Sequence, residues 1–262
     1  MASKKRLLLP LAAICGALSC TNANVEEIPP DAPEKYAVLI SGHTEERHAL
    51  NMTLVYNFLL EHGFNENNIY VADGKGTDRL YCYPVDAAAT VDNVRTGFES
   101  LQQKLDGNDL LFVYVSDHGG RIRAEDGSYV STISTNDGST LDQRTFAGFV
   151  DSLKHGQGIF VYDQCHSGGF AEETGHGNNV AIASTTADDS AYSGGIHNSF
   201  TAYFIKAHLY SQFSDTNHDG NVSLGEAFRF AERNHPYSVQ GWQDPIIVSE
   251  QDPDLVYLLD KE

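Results

Sequence analysis

Five short apolar runs, separated by segments with helical spacing, constrain the fold of this chain more than any other feature of its sequence. The runs cover residues 37–40, 69–72, 110–115, 158–162 and 180–183. Each is apolar on both faces, which is typical of strands buried in a parallel sheet. Between them, apolar residues recur at helical spacing before Gly63 and after a candidate N-cap at Thr90. The alternation predicts an α/β fold, with a mostly parallel central sheet and helices on both faces.

The amino terminus predicts an export signal over residues 1–20. A basic triplet at residues 4–6 precedes an apolar run at residues 7–18, which is too short to span a bilayer as a helix. The signal ends in Ala-Leu-Ser-Cys, which resembles the sequence at which bacterial lipoproteins receive a lipid on the cysteine, here Cys20. We therefore expect an exported protein, either held in the cell envelope by a lipid on Cys20 or secreted in soluble form.

One folded domain is expected beyond the signal. Residues 21–35 are polar and contain three prolines, which predicts a tether without packed structure. The domain then covers residues 36–262, and its last segment, residues 242–259, is expected to form closing strands. It retains Cys82 and Cys165, too few for a disulfide framework, although one bond between them is an alternative. A role in catalysis would explain a free thiol in an oxidising compartment.

The charge of the chain excludes one class of partner. The sequence has 17 Lys and Arg against 36 Asp and Glu, a formal net charge of -19. Nucleic acid would be repelled over most of such a surface at low salt. The acidity suits either bound divalent cations or solubility outside the cell, and the sequence leaves both open.

Two of the apolar runs end in residues that can carry out covalent chemistry. His118 follows the run at 110–115, Cys165 follows the run at 158–162, and glycines accompany both. Neighbouring strands lie ~5 Å apart, so adjacent strands would bring both side chains to the same rim of the sheet, where doubly wound folds gather reactive groups. A neighbouring imidazole favours the nucleophilic thiolate and can protonate a leaving amine. The pattern indicates a Cys/His dyad.

These motifs resemble those of the legumain (asparaginyl endopeptidase) family, in the larger caspase and hemoglobinase group. The matching segments are Ser-Asp-His-Gly at 116–119, Cys-His-Ser-Gly at 165–168, Gly-Thr-Asp at 76–78 and Ala-Ser-Thr-Thr-Ala at 183–187. The similarity extends over about residues 36–203. It implies a caspase-like fold, a three-layer sandwich with a mostly parallel central sheet. It also implies cysteine endopeptidase activity on protein or peptide substrates, without a cofactor for catalysis.

The resemblance assigns roles to five residues. Cys165 resembles the family's nucleophile and His118 its catalytic histidine, and the backbone N–H groups of Gly119 and Cys165 form the implied oxyanion hole. Arg47 matches an arginine that lines the primary specificity pocket, and Asp163 stands where legumains carry a pocket glutamate. A guanidinium donor and a carboxylate acceptor would suit the side chain of Asn. Cleavage after Asn is therefore expected, with Asp or a basic residue as rivals.

Two positions depart from the family pattern. Legumains place an Asn two residues before the pocket arginine as a third catalytic member, whereas this chain has Glu45 there. A carboxylate could orient an imidazole as an amide does. In addition, residues 197–202 contain no acid that matches the family's remaining pocket acid, which leaves the cleavage preference open.

A separate motif at residues 215–226 predicts a calcium site. The segment has the length of an EF-hand loop, with Gly220 at its sixth position and apolar helical patterns on both sides. The candidate oxygen ligands are Asp215, Asn217, Asp219, Asn221 through its backbone carbonyl, Ser223 and Glu226. An isolated loop of this kind is expected to stiffen the fold rather than to sense a signal. The alternative is an Asx-rich turn without an ion.

The sequence thus predicts a peptidase that attacks an amide through Cys165 and hydrolyses the thioester with water activated by His118. An amine in place of water would make the chain a transamidase or ligase of the same family. A second alternative is a non-catalytic, calcium-stabilised binding module, which Glu45 favours and the pair of Cys165 and His118 opposes. A metal hydrolase is disfavoured, because the histidines lack the spacing of a helix-borne zinc site.

Overall fold

The computed structural model describes residues 32–76, 83–193 and 198–258. Within these ranges, the chain from Pro33 onward forms one compact unit. The predicted export signal with Cys20, most of the tether, Cys82 and residues 77–78 of the Gly-Thr-Asp motif lie outside the described residues. Among the helices described, none is long and apolar enough to cross a membrane.

Strands and helices alternate along most of the described chain. The strands are β1 (Lys35–Ser41), β2 (Ile69–Asp73), β3 (Leu110–Ser116), β4 (Gly119–Arg123), β5 (Tyr129–Ser134), β6 (Thr140–Asp142), β7 (Gln157–Asp163), β8 (Asn179–Ala183) and β9 (Ile246–Ser249). The helices are α1 (Glu46–Glu61), α2 (Val91–Gln102), α3 (Gln143–Asp151), α4 (Gly168–Thr174), α5 (Phe200–Leu209), α6 (Ser211–Ser214), α7 (Leu224–Asn234) and α8 (Pro236–Val239). Short 3-10 helices lie at Glu66–Asn68 and Pro253–Leu255.

A six-stranded sheet with the order β2-β1-β3-β7-β8-β9 forms the centre of the fold. Its neighbouring strands are parallel, except for β8 and β9. The five predicted runs are its five parallel strands. Strands that are apolar on both faces need a cover on each side. Leu39 of β1 packs in a cluster with α1, α5 and α7, whereas Val38 packs in a second cluster with α2, α3 and α4. The predicted α/β three-layer sandwich is confirmed.

Local sequence explains where two of the helices begin or end. Thr90 caps α2, because its side-chain oxygen accepts a hydrogen bond from the N–H of Asn93 at 3.2 Å. Helix α1 ends before Gly63, which adopts a φ of +84°. The N–H of Phe64 then bonds to the carbonyl of Leu59, a closure that requires the left-handed conformation of a glycine. Both boundaries lie where the sequence predicts them.

The sequence does not predict the second sheet, in which β4, β5 and β6 pair in antiparallel order between β3 and α3. These strands are short, and β4 is largely exposed and carries two arginines. No continuous apolar run therefore marks them. Ile133 and Leu141 anchor the small sheet in the core. Because Gly119 begins β4 immediately after His118, the candidate histidine lies at the junction of the two sheets.

The carboxyl-terminal segment differs from its prediction. Closing strands are expected over residues 242–259, but the described part of this segment, up to residue 258, has one short strand, β9, followed by a 3-10 helix. The side chain of Asp252 caps this helix by accepting a hydrogen bond from Asp254 N–H at 3.0 Å. Pro253 occupies the first turn, where its missing N–H is harmless to a helix but would break a strand ladder.

Candidate active site

Strands β3 and β7 are neighbours in the central sheet, with Ser116 opposite Asp163 at their carboxyl ends. From these ends the chain continues to His118 and Cys165, and both residues line the same pocket. Cys165 is a free thiol with intermediate exposure. The structure therefore brings the predicted thiol and imidazole to one cleft.

Within this cleft, the thiol and the imidazole each contact other groups. Cys165 Sγ donates a hydrogen bond to the carbonyl oxygen of Ala191 at 3.6 Å. The Nε2 atom of His118 lies 2.9 Å from Glu45 Oε1 and 3.0 Å from Arg47 Nη2. Catalytic hydrogen bonds are often long or poorly aligned until substrate binds. Among the hydrogen bonds of the described residues, none joins the Cys165 sulfur to the His118 ring.

Glu45 takes the place of the expected asparagine and contacts the histidine ring. It is the N-cap residue of α1, and Arg47 donates from Nε to Glu45 Oε2 at 2.9 Å. The hydrogen bond with His118 is the largest influence on this carboxyl group, and it lowers the pKa of Glu45 to about 2. The side chain is therefore ionised at neutral pH and places a negative charge beside the imidazole.

Buried Asp117 joins the loop after β1 to the loop after β3. Its carboxylate accepts hydrogen bonds from the N–H of Gly42 and from the N–H of His118, the latter at 2.6 Å, and it contacts His43 Nδ1 at 2.7 Å. Burial raises the pKa of this carboxyl group, while the hydrogen bonds act in the opposite direction. These contacts fix the backbone that carries His118.

Gly119 packs directly against the backbone of Cys165. A Cβ atom at this position would lie 1.9 Å from the Cys165 carbonyl oxygen, so only glycine fits. The N–H of Ser134 donates to the carbonyl of His118, and Gly119 is the next residue in register, opposite Ile133. In an antiparallel ladder, hydrogen-bonded and non-hydrogen-bonded pairs alternate. The N–H of Gly119 therefore points away from β5, where it is available to another acceptor.

His166 follows the candidate nucleophile but turns to a different part of the chain. Its φ is +59°, in the left-handed region that few residues other than glycine adopt. Its Nδ1 lies 3.0 Å from the carbonyl oxygen of Ala187, and its own N–H donates to the carbonyl of Asp189. Burial lowers the pKa of the ring. The contacts of His166 thus tie the Cys165 loop to the turn after β8.

Both predicted specificity residues, Arg47 and Asp163, line the pocket with the thiol. Asp163 Oδ2 accepts hydrogen bonds from the Thr201 N–H at 3.1 Å and from the Thr201 hydroxyl at 2.6 Å. Arg47 contacts Glu45 and the His118 ring, as described above. The two predicted specificity residues therefore offer the pocket a cationic donor, Arg47, and an anionic acceptor, Asp163, each already positioned by protein groups.

The sequence does not predict the neutral polar wall of this pocket. Ser199, the N-cap of α5, donates from its hydroxyl to Asn51 Oδ1 at 2.8 Å, and both residues line the pocket. Asn51 lies four positions after Arg47 on α1, so helical spacing offers a signal for it. Ser199 carries no comparable signal. It lies in the region 197–202, which contains no acid that matches the family's remaining pocket acid, and His197 is outside the described residues.

Gln243 holds the segment that contacts the thiol. Its Nε2 donates to the carbonyl of Ser184 at 2.6 Å, and its Oε1 accepts from the N–H of Tyr192 at 2.7 Å. Gln243 is buried, so loss of these bonds would leave polar groups unsatisfied. Residues 191–193, which include the acceptor of the Cys165 hydrogen bond, are thereby attached to the end of β8. Sequence reasoning misses Gln243, because it is an isolated polar residue without a motif.

His48 places a second imidazole beside the first. The centroid of its ring lies 5.4 Å from that of His118, and its Nδ1 lies 3.1 Å from Ser116 Oγ. Burial is the largest influence and lowers the pKa of His48 to about 3. The ring is therefore neutral at neutral pH. The sequence assigns His48 no role.

The predicted calcium loop forms a compact turn between α6 and α7. Asp215 Oδ2 accepts a hydrogen bond from Gly220 N–H at 3.0 Å, and Gly220 has a φ of +90°. Asn217 Oδ1 accepts from Asp219 N–H, and Asp219 Oδ1 from Asn221 N–H. Five of the six candidate ligands thus lie in one tight loop, and Glu226 closes it from the first turn of α7.

Two features of this loop bear on a cation. Asp215 Oδ1 is buried and has no hydrogen-bond partner among the described residues, which is costly unless a cation or water satisfies it. Glu226, in contrast, accepts hydrogen bonds from the N–H groups of Thr216, Asn217 and Ser223 and forms a capping box with Ser223. The candidate ligand atoms are oxygens, which calcium prefers, and both carboxylate oxygens of Glu226 accept hydrogen bonds from the protein.

The fold and the pocket together define a class, the caspase-like cysteine peptidases. Residues 92–250 match the family model described as the Peptidase C13 family. This match covers more than half of the chain, and the chain belongs to the Peptidase C13 family.

Other comparisons agree with this class. The chain is 31% identical to Metacaspase-7 of Arabidopsis thaliana over 140 residues, which cover 51% of this chain and 32% of that protein. It is 32% identical to Metacaspase-4 of the same plant over 126 residues, covering 45% and 28%. The chain thus spans about a third of the length of these curated relatives. A crystal structure of a Geobacter sulfurreducens protein superposes with a TM-score of 0.61 at 14% identity, over 87% of this chain and 98% of that one, which shows likeness of fold.

Proposed function

We propose that this chain is a cysteine endopeptidase in which Cys165 is the nucleophile and His118 handles the protons. The observation that carries the proposal is the shared pocket, which a free thiol and an imidazole both line at the ends of adjacent parallel strands. Family membership supports a peptidase acting on protein or peptide substrates.

The residues of the pocket account for each step. His118 takes the proton of the Cys165 thiol, the thiolate attacks the peptide carbonyl carbon, and the N–H groups of Gly119 and Cys165 stabilise the oxyanion. His118 then protonates the leaving amine, which departs and leaves a thioester on Cys165. His118 next takes a proton from water, the hydroxide attacks the thioester carbon, and the acid product leaves as the thiol is restored. Glu45 is a positioning residue in this scheme, because it contacts the ring and carries a full negative charge.

We assign the residue preference to Arg47 and Asp163. A substrate Asn offers one carbonyl acceptor and one amide donor, and the pocket offers a guanidinium and a carboxylate. Cleavage after Asn follows from this pairing, and Asp or a basic residue would satisfy only one of the two groups.

Profiling on a peptide library, with and without calcium, tests both proposals. Enrichment of Asn before the cleaved bond is the expected result, and a preference for Asp or for Lys and Arg would reject the assignment of Arg47 and Asp163 as a pair. Labelling by a thiol-directed peptide electrophile provides an independent readout. Absence of label on Cys165 with calcium present would favour the non-catalytic binding module. Products formed with an added amine would indicate a transamidase or ligase.

Gly119→Ala is expected to impair both activity and stability. The new methyl group would collide with the Cys165 carbonyl, so the two loops would have to separate and the oxyanion donors would be displaced. We expect kcat/KM to fall on the order of 10²-fold and the free energy of unfolding to fall by about 1–3 kcal/mol. Gly120→Ala is the matched control, since its Cβ would meet only the Thr132 hydroxyl at 3.3 Å. Equal effects of the two substitutions would contradict this account.

We also propose that residues 215–226 bind a structural calcium ion. The proposal rests on the loop sequence and on the unpartnered Asp215 carboxylate oxygen. A site filled at roughly 100 times its Kd stabilises the fold by about 2.7 kcal/mol, so chelation should lower Tm by roughly 5–10 °C.

Asp215→Asn is expected to abolish the calcium-dependent part of the thermal shift. Asp137→Asn is the matched control, because Asp137 forms a similar short turn with Ser139 in a loop without the EF-hand pattern. An unchanged calcium response in the Asp215 variant would show that residues 215–226 are not the calcium site.

Export, with a lipid on Cys20 or as a soluble protein, is a proposal that rests on residues 1–20 alone. Mass analysis of the mature chain from a membrane fraction tests it, and an intact amino terminus in the cytoplasm would reject it.

A further inference from the structure

We propose that Glu45, His48 and His118 form a site for a divalent transition metal, with Zn²⁺ as the probe, and that the bound ion inhibits the enzyme. Only the inhibition rests on the proposed function, because it requires that His118 be the group that handles the protons. The metal site itself stands on the arrangement of the three side chains and is tested without an activity assay.

The three residues already lie close to a binding geometry. One ligand atom from each lies within 4.8 Å of the ligand atoms of the other two, and Glu45 Oε1 is 2.9 Å from His118 Nε2. Ligand atoms on a tetrahedral zinc ion lie roughly 3.4 Å apart, given bonds of about 2.0–2.1 Å. The Glu45 and His118 side chains are both near half exposed. Their rotation can therefore bring the ligand atoms to the spacing that a zinc ion requires. Two imidazoles and one carboxylate are a common ligand set for zinc.

His48 supplies the independent observation that points to a ligand. Its side chain is only 4% exposed, yet Nε2 has no hydrogen-bond partner among the described residues. Nδ1 lies near Ser116 Oγ, which also accepts a hydrogen bond from Asn51 Nδ2 at 3.2 Å. If Nδ1–H donates to Ser116, the lone pair of Nε2 is free, the arrangement usual for metal-bound histidines. A buried, unpartnered nitrogen beside another imidazole would be satisfied by a metal ion.

Arg47 opposes the ion. Its guanidinium lies 3.0 Å from His118 Nε2 and donates to Glu45, so it contacts both flexible ligands. The side chain is about one-third exposed and can swing into solvent when a metal enters. Because the guanidinium is positive, it lowers the affinity for a cation. Arg47 therefore keeps the site weak, and its removal should strengthen binding.

A bound ion would block the chemistry at one atom. The lone pair of His118 that coordinates the metal can no longer accept a proton from Cys165 or from water. An ion with three protein ligands keeps a fourth position for water or a thiolate, and Cys165 lines the same pocket. Metal and substrate would also compete for the space that Arg47 occupies.

Calorimetric titration of Zn²⁺ into the full-length Cys165→Ala variant tests the site without peptidase activity. Calcium is held in excess so that residues 215–226 do not take up the zinc. We expect one ion per chain, and Glu45→Gln to weaken its binding at least tenfold. Arg47→Gln should tighten binding on the order of tenfold. His176→Gln is the matched control, because His176 pairs with Asp151 at 3.5 Å on the surface, and it should change nothing.

His48→Gln provides a second test of the ligand set, with folding checked by thermal unfolding. Loss of the single site in a folded variant supports the assignment. No zinc binding at micromolar concentration, or binding that neither Glu45→Gln nor His48→Gln weakens, overturns it.

Inhibition is measured on the unmutated enzyme. Zinc should abolish peptide cleavage with an inhibition constant equal to the calorimetric Kd, or below it where the Cys165 thiolate occupies the fourth position, and a chelator should restore it. If zinc binds but cleavage continues, the inhibitory role is wrong. If a chelator abolishes cleavage and zinc restores it, the metal is a cofactor, which also overturns the proposal. A chain that binds zinc at this site yet cleaves no peptide supports the site and rejects the proposed function instead.

Discussion

Replacing Cys165 with alanine is expected to abolish peptide cleavage while leaving the fold intact. The alanine variant has no nucleophile for the acyl intermediate, so kcat should fall by on the order of 10³-fold or more. The sulfur makes one hydrogen bond, a long one to Ala191, and it is only partly buried. The free energy of unfolding should therefore change by less than about 1 kcal/mol. Steady-state kinetics and thermal unfolding measure the two effects.

Cys165→Ser is the conservative companion to this experiment. It keeps the shape of the side chain but replaces the thiol by a hydroxyl, which ionises far less readily. Activity should stay near that of the alanine variant. Cleavage at the parental rate in the alanine variant would show that Cys165 is not the nucleophile.

His118→Asn is expected to lower kcat by roughly 10²–10⁴-fold, the range that general acid–base catalysis contributes. His166→Asn is the matched control, since it removes an imidazole directly next to the nucleophile. Asparagine tolerates the left-handed backbone of position 166 better than most residues, and the His166 ring is engaged with Ala187. We expect the control to retain kcat within about threefold.

Together, the two variants show whether His118 or His166 is the catalytic base. A large loss in the His166 variant with full activity in the His118 variant would reverse the roles of the two histidines. Far-UV circular dichroism of both proteins excludes unfolding as the cause of a loss.

The central sheet was predictable because its strands are buried on both faces and therefore read as continuous apolar runs. His118 and Cys165 could be placed together because carboxyl ends of parallel strands share one rim. The small sheet could not be found in the same way, since β4 is exposed and lacks an apolar run. Because the sequence does not predict the small sheet, it does not indicate that Gly119 belongs to a strand.

The rest of the pocket depends on contacts between distant parts of the chain. Ser199 meets Asn51 across 148 positions, and Gln243 meets Tyr192 across 51. These are single polar residues, without periodicity or motif, whose partners only the folded chain defines. The predicted pocket residues Arg47 and Asp163 are predictable because they match a family pattern. The same pattern places an Asn at position 45, and the structure has Glu45 there against the histidine ring.

The contact between Gly119 and the Cys165 carbonyl has a consequence for protein engineering. The segments that carry Gly119 and Cys165 touch without room for a methyl group. They must be transplanted or redesigned together, because a change in the backbone path of one displaces the other. Efforts to alter which peptides are cut should therefore leave this junction untouched. The opposite wall, formed by Ser199, Asn51 and the segment held by Gln243, offers exchangeable side chains instead.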